Sequence, residues 1–132
     1  MNFSIAMSMS EKRMDNNEII DRLALLFDLQ QEFQEQIGNG DRIYRDNDVD
    51  SKFVQEQTLA LIDELMEALR ETPWKTWKKQ QTLNHDKMKE EIIDAWHFLI
   101  NLSMAAGMDS SEVYELFLKK SKVNRDRQTA GR

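Results

Sequence analysis

The scarcity of helix-interrupting residues is the feature that most constrains how this chain can fold. Its 132 residues include four glycines and one proline, whereas average usage is about 7% and 5%. Because these residues form most tight turns and weaken helices, the segments between turns must be long. Apolar residues recur at helical spacing in four segments, and no segment shows the alternation of a strand. The sequence therefore predicts an all-α protein.

Local signals mark the ends of these helices. Asp15 with Glu18, and Asp109 with Glu112, form capping boxes at the starts of the first and fourth helices. Pro73 stops the second helix because proline disfavours helical geometry at the preceding residue. The predicted ranges are about 16–37, 51–71, 86–106 and 110–127. The residues expected to face the core are Leu23, Leu26, Phe27, Phe33 and Ile37; Leu59, Ile62, Met66 and Leu69; Ile92, Ile93, Trp96, Leu99, Ile100 and Met104; and Val113, Tyr114, Phe117 and Leu118.

Four helices of this length favour an antiparallel four-helix bundle. We expect one domain over residues 15–128, a mobile N-terminal tail at 1–14 and a C-terminal tail at 129–132. The first tail lacks the positive charge that precedes the apolar stretch of a signal peptide. No window approaches the ~20 apolar residues that span a bilayer. Together with the absence of cysteine, this predicts a cytoplasmic protein without a membrane partner.

Composition also excludes some classes of function. A chain without cysteine forms no disulfides, Cys-ligated zinc sites or thiolate nucleophiles. The net charge of −6 disfavours general nucleic-acid binding, because the phosphate backbone carries the same sign of charge. We therefore expect no nucleic-acid partner.

Two pairs of carboxylates interrupt apolar runs on the second and third helices. Glu64 and Glu67 lie within LALIDELMEAL, and Glu91 and Asp94 lie within EEIIDAWHFLI. Residues three apart project from the same side of a helix. Burying several carboxylates without a counter-charge is very costly, and divalent cations such as Mg²⁺, which prefer oxygen ligands, remove that cost. The pattern indicates a site for two or more metal ions.

Two other interpretations of the carboxylates remain open. Glu-x-x-Glu is frequent on solvated helix surfaces, where it binds nothing. A di-iron site is the second alternative, because Asp94 and His97 resemble an acid-x-x-His ligand set. Such sites use two of these sets, however, and the Glu64/Glu67 pair has no histidine.

Polar residues at helical spacing are candidates for binding a ligand. Lys120, Asn124 and Arg127 share one face of the fourth helix and suit a phosphate or another polar ligand. Alternatively, cations near a helix C-terminus simply complement its dipole. Gln30 and Gln34 lie on the apolar stripe of the first helix and require partners, either internal or the edge of a bound base.

The loop after the second helix combines aromatic and basic residues. Trp74 and Trp77 alternate with Lys75 and Lys78. Indole faces can stack on a base and lysines can meet phosphate, although the tryptophans can equally anchor the loop to the core.

Taken in order, these motifs resemble the dimeric all-α dUTPases, relatives of the MazG-type pyrophosphohydrolases and the phage dCTPase–dUTPases. The family pattern is present as ELME at 64–67, WKTW at 74–77, EIID at 91–94 and His97-Phe98. KKSKVNRDRQ near the C-terminus resembles the closing Lys/Asn/Arg segment of the family. The resemblance covers about residues 20–128.

The resemblance implies an all-α bundle that is completed by oligomerisation, as a homodimer or a dimer of dimers. It also implies Mg²⁺-dependent cleavage of dUTP to dUMP and pyrophosphate, with Mn²⁺ as a possible substitute for the metal. One of the glutamates would orient or deprotonate the attacking water. The metal ligands by resemblance are Glu64, Glu67, Glu91 and Asp94. The substrate-binding residues by resemblance are Gln30, Gln34, Lys75, Trp77, His97, Lys120, Asn124 and Arg127.

Two departures from the family pattern leave the base open. Trp74 stands where phenylalanine is expected, and Gln34 where asparagine is expected. A glutamine amide can rotate to serve uracil or cytosine, so a dCTP-preferring or broader enzyme is the alternative within the fold. A helical interaction module without enzymatic activity is the alternative of a different class.

Overall fold

The structure is a computed structural model that describes residues 20–131. This part of the chain consists of four α-helices and one 3₁₀ turn, and it contains no strand beyond an isolated bridge between Arg45 and Asp48. The helices are α1 (Arg22–Gln36), α2 (Ser51–Arg70), α3 (His85–Ala105) and α4 (Ser110–Thr129), with the 3₁₀ turn at Gly40–Arg42. The predicted all-α class is confirmed. None of these helices is long and apolar enough to cross a membrane.

Each α-helix begins after an aspartate or asparagine that caps it. The side chains of Asp21, Asp50, Asn84 and Asp109 accept hydrogen bonds from the backbone N–H groups of Ala24, Phe53, Lys87 and Glu112. Each such cap contributes about 1 kcal/mol. The predicted starts of the second and fourth helices are confirmed, and α3 starts one residue earlier than predicted.

The predicted start of the first helix is wrong. Ile20 and Asp21 are not helical. α1 begins at Arg22 because the side chain of Asp21 caps the helix there. The predicted cap at Asp15, residues 16–19 and the predicted tail at 1–14 lie outside the described residues. The described residues form two compact units, one over 39–107 and the other made of 20–38 with 108–131. The single domain over 15–128 therefore stays a prediction.

The unit over 39–107 is built around an antiparallel hairpin of α2 and α3. Near its open end, the buried Asn101 amide donates to Gln57 Oε1 at 3.0 Å. Phe53 is fully buried, and the Arg42 guanidinium lies 5.1 Å from its ring centroid. Arg42 also pairs with Glu56 at 2.7 Å. These contacts fix the 3₁₀ turn against the start of α2.

Two physical reasons favour glycine at position 107, immediately after the C-cap of α3. Its φ of +88° lies in the left-handed region that favours glycine. A Cβ at this position would also lie 3.0 Å from Cγ of Tyr44, because the tyrosine ring packs against the glycine. Any larger residue would displace the ring.

Many large apolar residues that were predicted to face the core are exposed. The buried residues of the two hairpin helices include small and polar ones, namely Gln57, Ala68, Ala95 and Asn101. Ile100 and Met104 are buried as predicted. The exposed residues that contradict the prediction are Leu59, Ile62, Met66 and Leu69 on α2, and Ile92, Ile93, Trp96 and Leu99 on α3.

The second unit contains α1 and α4, which contact each other. On α1 the buried residues are Leu25, Phe27, Gln30 and Gln34, whereas Leu26, Phe33 and Ile37 are exposed, contrary to prediction. No residue of α4 is buried. Tyr114, Phe117 and Leu118, which were predicted to face the core, are exposed, with Phe117 reaching 71%.

Candidate metal centre

Three carboxylates meet at the closed end of the α2–α3 hairpin, near the connecting loop. Glu64 and Glu67 lie on the last two turns of α2, and Glu91 lies in the second turn of α3. One carboxylate oxygen from each lies within 4.8 Å of the others. Glu91 is buried, with 5% of its surface exposed, and Glu64 and Glu67 are half-buried. The antiparallel pairing of the two helices brings the predicted motifs together.

Asp94, the fourth predicted ligand, lies outside this cluster. It is exposed, as are its neighbours Ile93 and Trp96. The apolar run in which Asp94 lies therefore does not shield its carboxylate from solvent. Its charge still acts on Glu64, raising the pKa of that carboxyl.

The cluster shares its negative charge unequally. Burial, followed by a hydrogen bond with Glu91 and the charges of its neighbours, raises the pKa of Glu64 from 4.5 to about 7. The hydrogen bond with Glu91 is also the main cause that raises the pKa of Glu67. The pKa of Glu91 is lowered, chiefly by Lys87. Glu91 therefore keeps its charge, while Glu64 takes up a proton most readily.

Lys87 is a member of the site that sequence reasoning missed. Its Nζ lies 3.1 Å from Oε1 of Glu91 and 3.5 Å from Oε2 of Glu90. Lys87 precedes Glu91 by four residues on α3, a spacing at which side chains of opposite charge meet. That spacing is the sequence signal from which a pairing of Lys87 with Glu91 could have been predicted. Lys87 is the partner that compensates the charge of the buried Glu91.

The donor set fits a hard divalent cation. All three groups offer carboxylate oxygens, the ligands that Mg²⁺ prefers. Oε2 of Glu64 is buried and has no hydrogen-bond partner. An unpartnered buried carboxylate oxygen is unfavourable, and a bound cation would satisfy it.

The loop between α2 and α3 carries two of the predicted substrate-binding residues. Its base is closed by a hydrogen bond of 3.0 Å from the N–H of Asn84 to the carbonyl of Glu71. Trp77 is 70% exposed and makes an edge-to-face contact with Trp74, with ring centroids 5.7 Å apart. Nζ of Lys75 lies 5.7 Å from the centroid of the Trp74 ring. The tryptophans form an exposed aromatic pair.

The remaining predicted residues are on α1, α3 and α4. His97 is exposed, and its Nδ1 lies 2.8 Å from the carbonyl of Ile93. Gln30 and Gln34 are buried on α1, as their position on the predicted stripe suggested. Lys120, Asn124 and Arg127 are exposed along α4, which is helical through all three positions. Their roles in binding a nucleotide stay predictions.

Comparison with known proteins identifies the class. A family model described as dUTPase matches residues 22–112, which include the whole α2–α3 hairpin and its carboxylates. The chain belongs to the all-α dUTPase family, and the resemblance drawn from its motifs is confirmed.

More specific similarity is to two phage proteins. The dCTP pyrophosphatase of Enterobacteria phage T4 is 30% identical over an alignment of 70 residues, which covers 44% of this chain and 41% of that protein. The dCTP pyrophosphatase of Enterobacteria phage LZ5 is 33% identical, with the same shares covered. The chain thus spans less than half the length of these curated relatives. No solved structure matches the chain significantly.

Proposed function

We propose that this protein is a metal-dependent pyrophosphohydrolase that converts dUTP to dUMP and pyrophosphate. The observation that carries the proposal is the meeting of Glu64, Glu67 and Glu91 within 4.8 Å, with one buried oxygen of Glu64 left without a partner. Such a cluster is stable around cations and unfavourable without them. Membership of the dUTPase family supports the choice of a nucleoside triphosphate as the substrate.

The three clustered glutamates would hold Mg²⁺, with Asp94 as a further ligand at the exposed edge. Two or more ions are proposed, and Mn²⁺ is a possible substitute because it accepts the same oxygen ligands. When bound, Mg²⁺ supplies the positive charge that offsets the charge developing on phosphoryl oxygens. A carboxylate that is not fully used as a ligand would orient the attacking water and accept its proton. One of the clustered glutamates Glu64, Glu67 and Glu91 would take this role.

Residues outside the cluster would bind the nucleotide. Cations would neutralise the triphosphate, and an exposed indole is suited to stacking on a base. The proposed triphosphate contacts are Lys75, Lys120 and Arg127. The proposed contacts to the base and sugar are Gln30, Gln34, Trp77, His97 and Asn124.

The main alternative substrate is dCTP. Both phage relatives are named dCTP pyrophosphatases. Uracil and cytosine differ in the donor and acceptor at N3 and the 4-position, and a glutamine amide can present either group. The glutamine pair on α1 therefore suits both bases.

We further propose that the protein is a homodimer or a dimer of dimers. Apolar side chains as large as Leu59, Ile62 and Trp96 are more than half exposed in the single chain. Clusters of exposed large apolar residues are unusual on monomers and mark interaction surfaces. A second copy of the chain would cover them.

The deciding experiment is a pyrophosphate-release assay with all common dNTPs and NTPs, in Mg²⁺ and in EDTA. Turnover of dUTP that requires Mg²⁺ is expected. Turnover of dCTP in preference to dUTP would select the alternative substrate. Absence of turnover with every nucleotide would reject the enzyme and favour a helical interaction module.

A further inference from the structure

Gln81 holds together a tight turn in the loop that joins α2 and α3. The turn comprises residues 75–78, and the N–H of Lys78 donates to the carbonyl of Lys75 at 3.0 Å. Oε1 of Gln81 accepts from the N–H of Lys75 at 3.0 Å. Its Nε2 donates to the carbonyl of Lys75 and, at 3.2 Å, to the carbonyl of Lys78.

Through these contacts, a single side chain satisfies backbone N–H and C=O groups that a neighbouring β-strand would otherwise pair with. An amide offers one carbonyl oxygen and two N–H groups, and Gln81 commits all of them to backbone atoms at the two ends of the turn. Gln81 is half-buried, so water competes less well for these bonds than at the exposed tip. A turn outside any helix is thereby given a defined shape.

The turn determines where two candidate ligand-binding side chains lie. Trp77 lies between the two clamped ends and is 70% exposed, in edge-to-face contact with Trp74. Lys75 is itself one of the clamped residues, and its Nζ lies beside the Trp74 ring. An exposed indole on an unconstrained loop would sample many orientations, and ordering it on binding would reduce affinity.

We propose that Gln81 is a positioning residue that prepares Lys75 and Trp77 for the triphosphate and the base. Gln81 acts through the backbone of residues 75–78 and does not itself touch the nucleotide. This inference rests on the proposed function for the identity of the ligand, and on the hydrogen bonds of Gln81 for the mechanism.

Three substitutions separate the contacts. Gln81→Ala removes all of them. Gln81→Glu keeps an acceptor for the N–H of Lys75 but turns a second oxygen towards the carbonyls of Lys75 and Lys78, which repel it. Gln80→Ala is the matched control, because Gln80 is the exposed neighbour in the same loop.

The first measurement is independent of activity and follows hydrogen exchange at the backbone amide of Lys75 in the full chain. In Gln81→Ala this amide is expected to exchange roughly tenfold faster, because its acceptor is gone. Gln81→Glu should stay closer to the wild type at Lys75, and Gln80→Ala should match the wild type. Unchanged exchange at Lys75 in Gln81→Ala would overturn the clamp.

The second measurement is steady-state turnover with dUTP and dCTP in Mg²⁺. Gln81→Ala and Gln81→Glu are expected to raise KM about tenfold with kcat within about threefold, since binding and not the chemical step depends on the loop. Gln80→Ala should leave both constants unchanged. A faster-exchanging Lys75 amide with unchanged KM would overturn the positioning role alone. A wild type that turns over neither triphosphate would instead reject the proposed function, and with it the ligand named here.

Discussion

At the scale of single residues, the carboxylate cluster is the feature on which the proposed function depends. Three acidic groups share a small volume, and one cation, Lys87, pairs with one of them. The result is an uneven distribution of protons, with Glu91 charged and Glu64 inclined to protonate. The cation of the proposed function would offset the negative charge that Lys87 compensates only in part.

Glu67→Gln is expected to lower turnover by about a hundredfold or more, because it removes a metal ligand. The fold should survive, since the amide can donate the hydrogen bond to Glu91 that a protonated Glu67 provides. The measurement is pyrophosphate release in Mg²⁺ together with the thermal unfolding midpoint. Asp86→Asn makes the same change of charge at an exposed acid outside the cluster, and it should leave turnover near the wild-type value. Equal rates in the two variants would show that the ligands are misassigned.

Stability without metal is expected to fall as the pH rises from about 4.5 to about 7, the interval between the ordinary and raised pKa values of Glu64. In that interval the folded state holds a proton on Glu64 that the unfolded chain has lost, so raising the pH favours unfolding. The raised pKa of Glu67 acts in the same direction. The lowered pKa of Glu91 has the opposite effect, but only at lower pH, where its carboxylate begins to protonate.

Urea unfolding in EDTA across this pH range measures the effect. Glu64→Gln should flatten the dependence because the amide does not titrate, whereas Asp86→Asn, at an exposed acid outside the cluster, should retain it. A free energy of unfolding that rises over this range in the wild type, or a slope that Glu64→Gln leaves unaltered, would contradict the assignment.

At the scale of helices and loops, sequence predicted the ends of elements better than their faces. The caps Asp50 and Asp109 act over three residues, so local sequence identifies them. The start of α1 was misplaced because Asp21, and not the earlier Asp15, is the residue that caps this helix. Which side of a helix is covered depends on its neighbours. Leu59 was therefore assigned to the core although Gln57, two residues earlier, is the buried residue.

The candidate site shows the same division between local and tertiary information. Spacing within each helix predicted Glu64 with Glu67 and placed Glu91 on the facing helix, and the structure brings these three together. It did not predict that Asp94 is exposed, because the exposure of a helix position depends on which elements pack around it. Gln81 carried no signal in sequence, since its partners are backbone atoms that any residue provides.

The buried pair of Gln57 and Asn101 is expected to hold the register of the α2–α3 hairpin. Gln57→Met or Asn101→Leu alone should cost about 1–3 kcal/mol, because each leaves a buried amide without this partner. The double variant should lower the free energy of unfolding by less than the sum of the two single variants. It leaves neither amide of the pair in place without the other. The midpoint and slope of urea unfolding measure these costs. Gln55→Met, at an exposed position on α2, is the control and should change little; strict additivity would refute the pairing.

At the scale of the whole molecule, the main unfavourable feature of a single chain is the amount of apolar surface that it exposes to water. Large apolar residues on α2, α3 and α4 remain exposed, while small and polar residues such as Ala68 and Asn101 are buried. A helix normally turns its apolar stripe inward. Here those stripes are available to another copy of the chain.

The wild-type protein is therefore expected to sediment as a dimer or a dimer of dimers. Leu59→Glu should shift the distribution towards the monomer, because a charge would be buried at an apolar interface. Leu59 is 67% exposed in the single chain, so the fold of the monomer should tolerate the change. Gln55→Glu introduces the same charge on α2 and should leave the mass unchanged. Sedimentation velocity over a range of concentrations measures the oligomeric state. A wild type that stays monomeric would refute the proposed interface.

The edge-to-face pair of Trp74 and Trp77 has one more consequence, which concerns light absorption. Two indoles with centroids 5.7 Å apart and planes at 85° are close enough for their electronic transitions to couple. The loop is therefore expected to add an exciton signal to the far-ultraviolet circular dichroism spectrum of the helices. That signal should depend on both rings and should vanish when either is replaced by leucine. The shape of the loop can thus be followed without attaching any label.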